Sequence, residues 1–146
     1  MDPVWQLYKG FPWTIRLFVR LRRRIAPFEW IRPHIPPQGT VLEVGCGYGL
    51  LTNWIRQNYS LCTILGTDLN PKRIEAARRT LPGRKNIRFQ VSDGLQSTKE
   101  MYDCILFFDC LHHLKGSLHI PSLQRAKSWL NPGGKLHLPE EQLKPP

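Results

Sequence analysis

The run Val41-Leu42-Glu43-Val44-Gly45-Cys46-Gly47-Tyr48-Gly49 constrains this chain more than any other stretch. Apolar residues around Glu43 read as a buried strand. Three alternating glycines then form a tight turn where backbone can approach a ligand, since a Cβ there would obstruct it. Leu50, Leu51, Trp54 and Ile55 follow at helical spacing, so the free N–H groups of that helix point into the turn. A second apolar strand, residues 62–65, ends in Gly66-Thr67-Asp68. In a βαβ unit this sets a carboxylate, which can only accept hydrogen bonds, at the tip of the neighbouring strand, where ribose hydroxyls would sit. The pattern is built to hold a nucleoside.

Glycine spacing separates the nucleoside cofactors. A dinucleotide fingerprint requires Gly-x-Gly-x-x-Gly with the pyrophosphate on the helix N-terminus. Here Leu50 occupies the position of that third glycine. Glu43, two residues before the first glycine, is a poor neighbour for a pyrophosphate and a reasonable one for an ammonium. The run, an acidic residue followed by x-Gly-x-Gly-x-Gly, resembles the first motif of the class I S-adenosylmethionine-dependent methyltransferases. Four further stretches resemble that family in the same order: Gly66-Thr67-Asp68, Val91-Ser92-Asp93-Gly94, Tyr102-Asp103-Cys104-Ile105-Leu106-Phe107-Phe108-Asp109, and Leu130-Asn131-Pro132-Gly133-Gly134-Lys135-Leu136. Together they cover about residues 40 to 137. The rival reading, a nicotinamide-dependent oxidoreductase, is disfavoured by the glycine spacing and by Asn131-Pro132-Gly133-Gly134.

The resemblance implies S-adenosylmethionine as cofactor and a role for each matching residue. Gly45, Cys46, Gly47 and Gly49 would let backbone approach the methionine part. Glu43 would orient that loop and, directly or through water, the amino group. Asp68, with Leu69 beside it, would bind the ribose. Asp93 would accept from the adenine amino group, with Gly94 leaving room for the ring, and Asp109 closes the fourth matching stretch. His112 or His113 follows the fourth strand and could act as general base, because imidazole titrates near neutral pH; a structural histidine beside the cofactor is an equal reading. No metal site is expected, since His112, His113 and His119 lack further ligands at fitting spacing.

Around these motifs the expected elements alternate: strand 40–45, helix 49–58, strand 62–67, helix 71–81, strands 87–92 and 103–108, helix 119–130, strand 135–138. Strands separated by helices predict an α/β fold, a Rossmann-like, doubly wound and mostly parallel sheet of about five strands with an N-terminal helical extension. Pro71 suits a first helical turn, with Asn70 as N-cap. The domain expected is 39–138, preceded by a basic, aromatic segment and Pro-rich linker over 1–38 and followed by a tail over 139–146. Members of the resembled family have two more strands in a hairpin. Their absence predicts an open edge at the fifth strand, self-association there, and a cofactor-binding subunit that is inactive or partner-dependent as an alternative to an enzyme.

The net charge of +10 is uneven: residues 1–40 carry seven basic and two acidic side chains, half of the excess. On a helix over 13–26, Leu17, Phe18, Leu21 and Ile25 share one face and Arg16, Arg20, Arg23 and Arg24 another, with Arg22 intruding on the apolar side. This basic amphipathic pattern fits a helix capping the domain, an anionic membrane surface or a calmodulin-like groove. Nucleic acid is the less favoured reading of the same arginines and aromatics. A cytoplasmic protein is expected from four cysteines without metal-like pairing and from the lack of a spanning or signal segment, and the amphipathic helix would place it peripherally at a membrane. The acceptor expected is a small molecule, hydrophobic or lipid-like.

Overall fold

The computed structural model describes residues 3–25, 28–92, 100–107 and 116–138. Two helices, α1 (Pro3–Gln6) and α2 (Trp13–Ile25), and a 3-10 helix (Phe28–His34) precede the sheet. The alternating part is β1 (Gln38–Val44), α3 (Leu50–Asn58), β2 (Leu61–Asp68), α4 (Pro71–Arg78), β3 (Ile87–Val91), β4 (Tyr102–Leu106), α5 (Gly116–Lys127) and β5 (Leu130–His137). All strands pair in parallel, in the order β3-β2-β1-β4-β5. The chain winds outward from β1 to β3, then returns to the other side of β1, so the order reverses between β1 and β4. Ligands of open α/β sheets sit at the carboxyl ends of strands beside such a switch.

Strand residues alternate between two layers, as a sheet covered on both faces requires. Val41, Ile64, Cys104 and Leu106 pack with α3 and the N-terminal elements, where Val4, Tyr8, Phe11, Val19, Phe28 and Ile31 are buried in the same cluster. Leu42, Val44, Ile105 and Phe107 pack on the other side with Ala126 and Trp129. Residues 28–34, expected to be linker, form a 3-10 helix that admits Pro33 and buries Phe28 and Ile31. Cys46, Cys62 and Cys104 are buried thiols outside any disulfide; Cys110 lies outside the described residues.

The largest departure from the expected elements is at β5. It begins at Leu130, where a helix was predicted to end, and takes in the Asn-Pro-Gly-Gly sequence as a bulge. Tyr102 pairs with Leu130 but Cys104 with Lys135, so β5 spends five positions where β4 spends two. Asp103 ties the irregular region together: it accepts from the Asn131 side chain at 2.8 Å and from the Thr40 backbone N–H at 2.7 Å, joining β5, β4 and β1. These bonds hold its carboxyl below the usual range.

Gly49 shows how closely the layers meet. Its φ is +77°, and a Cβ there would lie 2.5 Å from Phe89 Cζ of β3. Gly49→Ala is expected to destabilise the fold by roughly 2–5 kcal/mol, the sum of a left-handed backbone penalty and overpacking. Denaturant unfolding of the two proteins checks this.

Candidate cofactor site

β1 ends at Val44 and the chain turns through three glycines with left-handed φ, Gly45 at +80°, Gly47 at +55° and Gly49 at +77°. The backbone N–H groups of Gly45 and Cys46 both donate to the Thr67 carbonyl, at 2.8 and 2.7 Å. Gly47 N–H donates to Asp68 Oδ2 at 2.8 Å. The turn is thereby lashed to the tip of β2. Asp68 Oδ1 accepts from Asn70 N–H at 2.8 Å, and the Asn70 side chain caps α4 through Lys72 and Arg73, with Pro71 in the first turn as the sequence predicted. A carboxylate offers about four acceptor sites, so two bonds leave capacity for ribose hydroxyls.

Beneath the turn, Glu43 is buried, only 2% exposed. Its Oε2 accepts from the Thr52 hydroxyl of α3 in a short hydrogen bond. Burial pushes its carboxyl up from about 4.5 to about 7, against the opposing pull of the Thr52 bond and the charge of Arg22. Glu43 lines a cavity of about 780 Å³ together with Gly45, Cys46, Gly47, Asp68 and Leu69, a volume in the usual range for small-molecule sites. Gly47 meets nothing within 4 Å of where its Cβ would stand. These features fit S-adenosylmethionine: a buried carboxylate for an ammonium, an acceptor at the strand tip for a ribose, and open space over the glycine.

Six residues expected at the cofactor thus share one cavity. Gly49 does not line it; it stands at the N-cap of α3, backed by Phe89. Asp93, Gly94, Asp109, His112 and His113 lie outside the described residues. Several lining residues were assigned no role from the sequence. Ser92, inside the third matching stretch, is one; it donates its N–H to the Asp68 carbonyl at 3.1 Å. Arg22 and Arg73 are others; they bring cationic charge to the cavity, suited to the carboxylate of an amino-acid cofactor. Arg22 was visible in the sequence as the arginine on the apolar side of α2.

α2 forms the outer wall. The helix faces the core with Val19 and Ile15, and three of its arginines lie over the protein's own aromatic rings. Arg16 and Arg20 sit over Trp5, at 6.0 and 5.4 Å, and Arg23 over Phe28, at 5.0 Å. Arg23 also pairs with Glu29, at 2.6 Å. The apolar side is left outward: Leu17, Phe18, Leu21 and Ile25 are exposed, Ile25 to 71%, and Phe18, Leu21 and Ile25 line the cavity.

A family model described as "Methyltransferase domain" matches residues 42–136, and the chain belongs to that family, in its class I, S-adenosylmethionine-dependent form. The oxidoreductase reading is set aside. Among curated proteins, the chain is 32% identical over 106 residues to a phosphoethanolamine N-methyltransferase of Triticum aestivum, covering 70% of this chain and 20% of that protein. It is 28% identical over 127 residues to a trans-aconitate 2-methyltransferase of Sinorhizobium fredii, covering 85% and 48%. Among solved structures, coclaurine N-methyltransferase superposes with a TM-score of 0.65 at 24% identity, over 82% of this chain and 34% of that one. A methyltransferase from Pyrococcus furiosus gives 0.65 at 21%, over 80% and 64%. The chain spans less than half the length of the curated relatives named.

The raised Glu43 carboxyl has a consequence for stability. The folded protein holds that proton more tightly than the unfolded chain, so stability present below about pH 4.5 is lost as pH rises through about 7. Glu43→Gln lacks this loss. Between pH 5 and 8 the parent is expected to lose roughly 1–3 kcal/mol more than the variant, read by denaturant unfolding at each pH.

Proposed function

We propose that this domain transfers the methyl group of S-adenosylmethionine to a hydrophobic, lipid-like acceptor that reaches the cleft along α2, with that helix resting on an anionic membrane surface. The observation that carries this reading is the outward apolar face of α2, which is at once exposed and part of the cavity wall. S-adenosylmethionine supplies a methyl on positively charged sulfur that is already activated for displacement. The chain's own work is to bind, align and exclude water. Glu43, Asp68 and the glycine turn hold the donor from below, while Phe18, Leu21 and Ile25 offer an apolar surface to the acceptor above it.

Trp13 and Trp30, exposed to 72% and 58%, extend the apolar surface to the ends of the N-terminal elements. Five arginines and no acidic residue lie on α2. An interfacial helix combines these features, apolar residues entering the headgroup boundary and cations at its margin. Among the described residues no helix is long and apolar enough to cross a membrane. The names of the relatives span an amine, a small acid, an acyl carrier protein and ribosomal RNA, so the acceptor is argued from this wall alone.

Two measurements test the reading. Asp68→Ala is expected to weaken S-adenosylhomocysteine binding by roughly 1–3 kcal/mol in calorimetric titration, the cost of losing a charged acceptor. Sedimentation with phosphatidylglycerol vesicles is expected to carry the protein down at low salt and release it at high salt. Replacing Arg16, Arg20 and Arg24 with glutamine would reduce that binding on the order of a hundredfold, at about 1 kcal/mol per cation. Protein that stays in the supernatant with anionic vesicles but retains RNA would redirect the acceptor to nucleic acid.

A further inference from the structure

Tyr8 lies forty residues before Tyr48 of the glycine turn, yet it is completely buried. Its hydroxyl donates to the Tyr48 carbonyl at 2.8 Å. The direction of that bond follows from its neighbours. The Thr80 hydroxyl donates to the Ala77 carbonyl at 2.6 Å, leaving its oxygen to accept, and Asn53 Nδ2 supplies the donor at 2.9 Å. The same amide nitrogen donates to the Tyr8 oxygen at 3.2 Å. With the Tyr8 oxygen accepting from Asn53, its proton is directed to Tyr48. Burial pushes the Tyr8 hydroxyl well above its ordinary value, so it stays a donor at any physiological pH.

The peptide that receives this bond lies between two glycines of the turn. Tyr48 stands between Gly47 and Gly49, both at left-handed φ and both free of the Cβ that limits rotation of adjoining peptide planes. The 48–49 peptide is pinned at both ends: its carbonyl by Tyr8, and its N–H, that of Gly49, by the Cys46 carbonyl at 2.9 Å. The Tyr48 ring is held separately, edge-on to Phe18 at 5.3 Å with the Arg73 guanidinium 5.8 Å above it. One step upstream, Gly47 N–H makes the bond to Asp68.

We infer that Tyr8 is a positioning residue for the cofactor: through the Tyr48 carbonyl it sets the glycine turn in the conformation that receives the methionine end of S-adenosylmethionine. The inference rests on the reading of that turn as the seat of the methionine part. It makes the N-terminal segment a working component of a site whose recognisable motifs all lie after residue 40.

Titration with two ligands tests it on the whole chain. S-adenosylhomocysteine carries the amino-acid end; 5′-methylthioadenosine has the same nucleoside without it. Tyr8→Phe keeps the ring and removes the hydroxyl. It is expected to weaken S-adenosylhomocysteine about tenfold, the worth of one well-made hydrogen bond, and to leave methylthioadenosine within about twofold. Ile55→Val, in the same buried cluster but remote from the turn's hydrogen bonds, serves as a stability control. It is expected to lower the melting temperature while leaving both affinities unchanged. An unchanged S-adenosylhomocysteine affinity in Tyr8→Phe would overturn the inference. So would equal loss of both ligands, or equal losses in Ile55→Val, since either marks general loosening. A parent that binds methylthioadenosine no more weakly than S-adenosylhomocysteine would remove the methionine seat itself, and the inference with it.

Discussion

The site depends on the bonds that tie the turn after β1 to the end of β2. β1 and β2 pair in register from Gln38 with Leu61 to Val44 with Thr67, so their carboxyl ends are level. The first residues beyond β1 can then donate to Thr67 and Asp68 without a gap. The turn cannot move without breaking those bonds. The carboxylate that receives one of them is itself part of the cavity wall. The start of α3, the cap of α4 and the buried Glu43–Thr52 contact all radiate from this junction.

α2 shows the opposite economy. Its arginines lie against Trp5 and Phe28, contacts worth about 0.5–1 kcal/mol each at exposed sites. The exposed Arg23–Glu29 pair adds about 0–1 kcal/mol. Full burial of one Leu, Ile or Phe stabilises by about 1.5–3 kcal/mol, and four such residues of α2 stand outward with Trp13 beside them. Cation–aromatic contacts alone therefore do not account for the helix's orientation. In the proposed function, the membrane surface or acceptor that covers this apolar face would supply the missing contribution.

The motifs announced much of the cofactor half. Each has a local cause that survives without tertiary context: apolar runs in β1 and β2, glycines that permit positive φ, and Asn70-Pro71 as cap and first turn. Where prediction and structure part, the cause is non-local. Residues 131–134 fall between the expected helix and strand, but the bond from Asn131 to Asp103 ties them into β5 as a bulge. Residues 28–34 read as linker because proline breaks regular helix, while the burial of Phe28 and Ile31 stabilises a short 3-10 turn.

The sequence by itself determined the order of strands and helices, the glycine turn, and the acids Glu43 and Asp68 at its two sides, because all of these depend on composition within a few residues. Only the tertiary structure decided which side of α2 faces the protein. Helical periodicity separates an apolar side from a cationic one but is blind to the aromatic rings, distant in sequence, that wait to receive the arginines. The same holds for Tyr8. Nothing around it in the chain marks it as different from its aromatic neighbours. It acquires its place only when folding brings its hydroxyl within 2.8 Å of the Tyr48 carbonyl, since a buried hydroxyl needs a partner that the local chain does not supply.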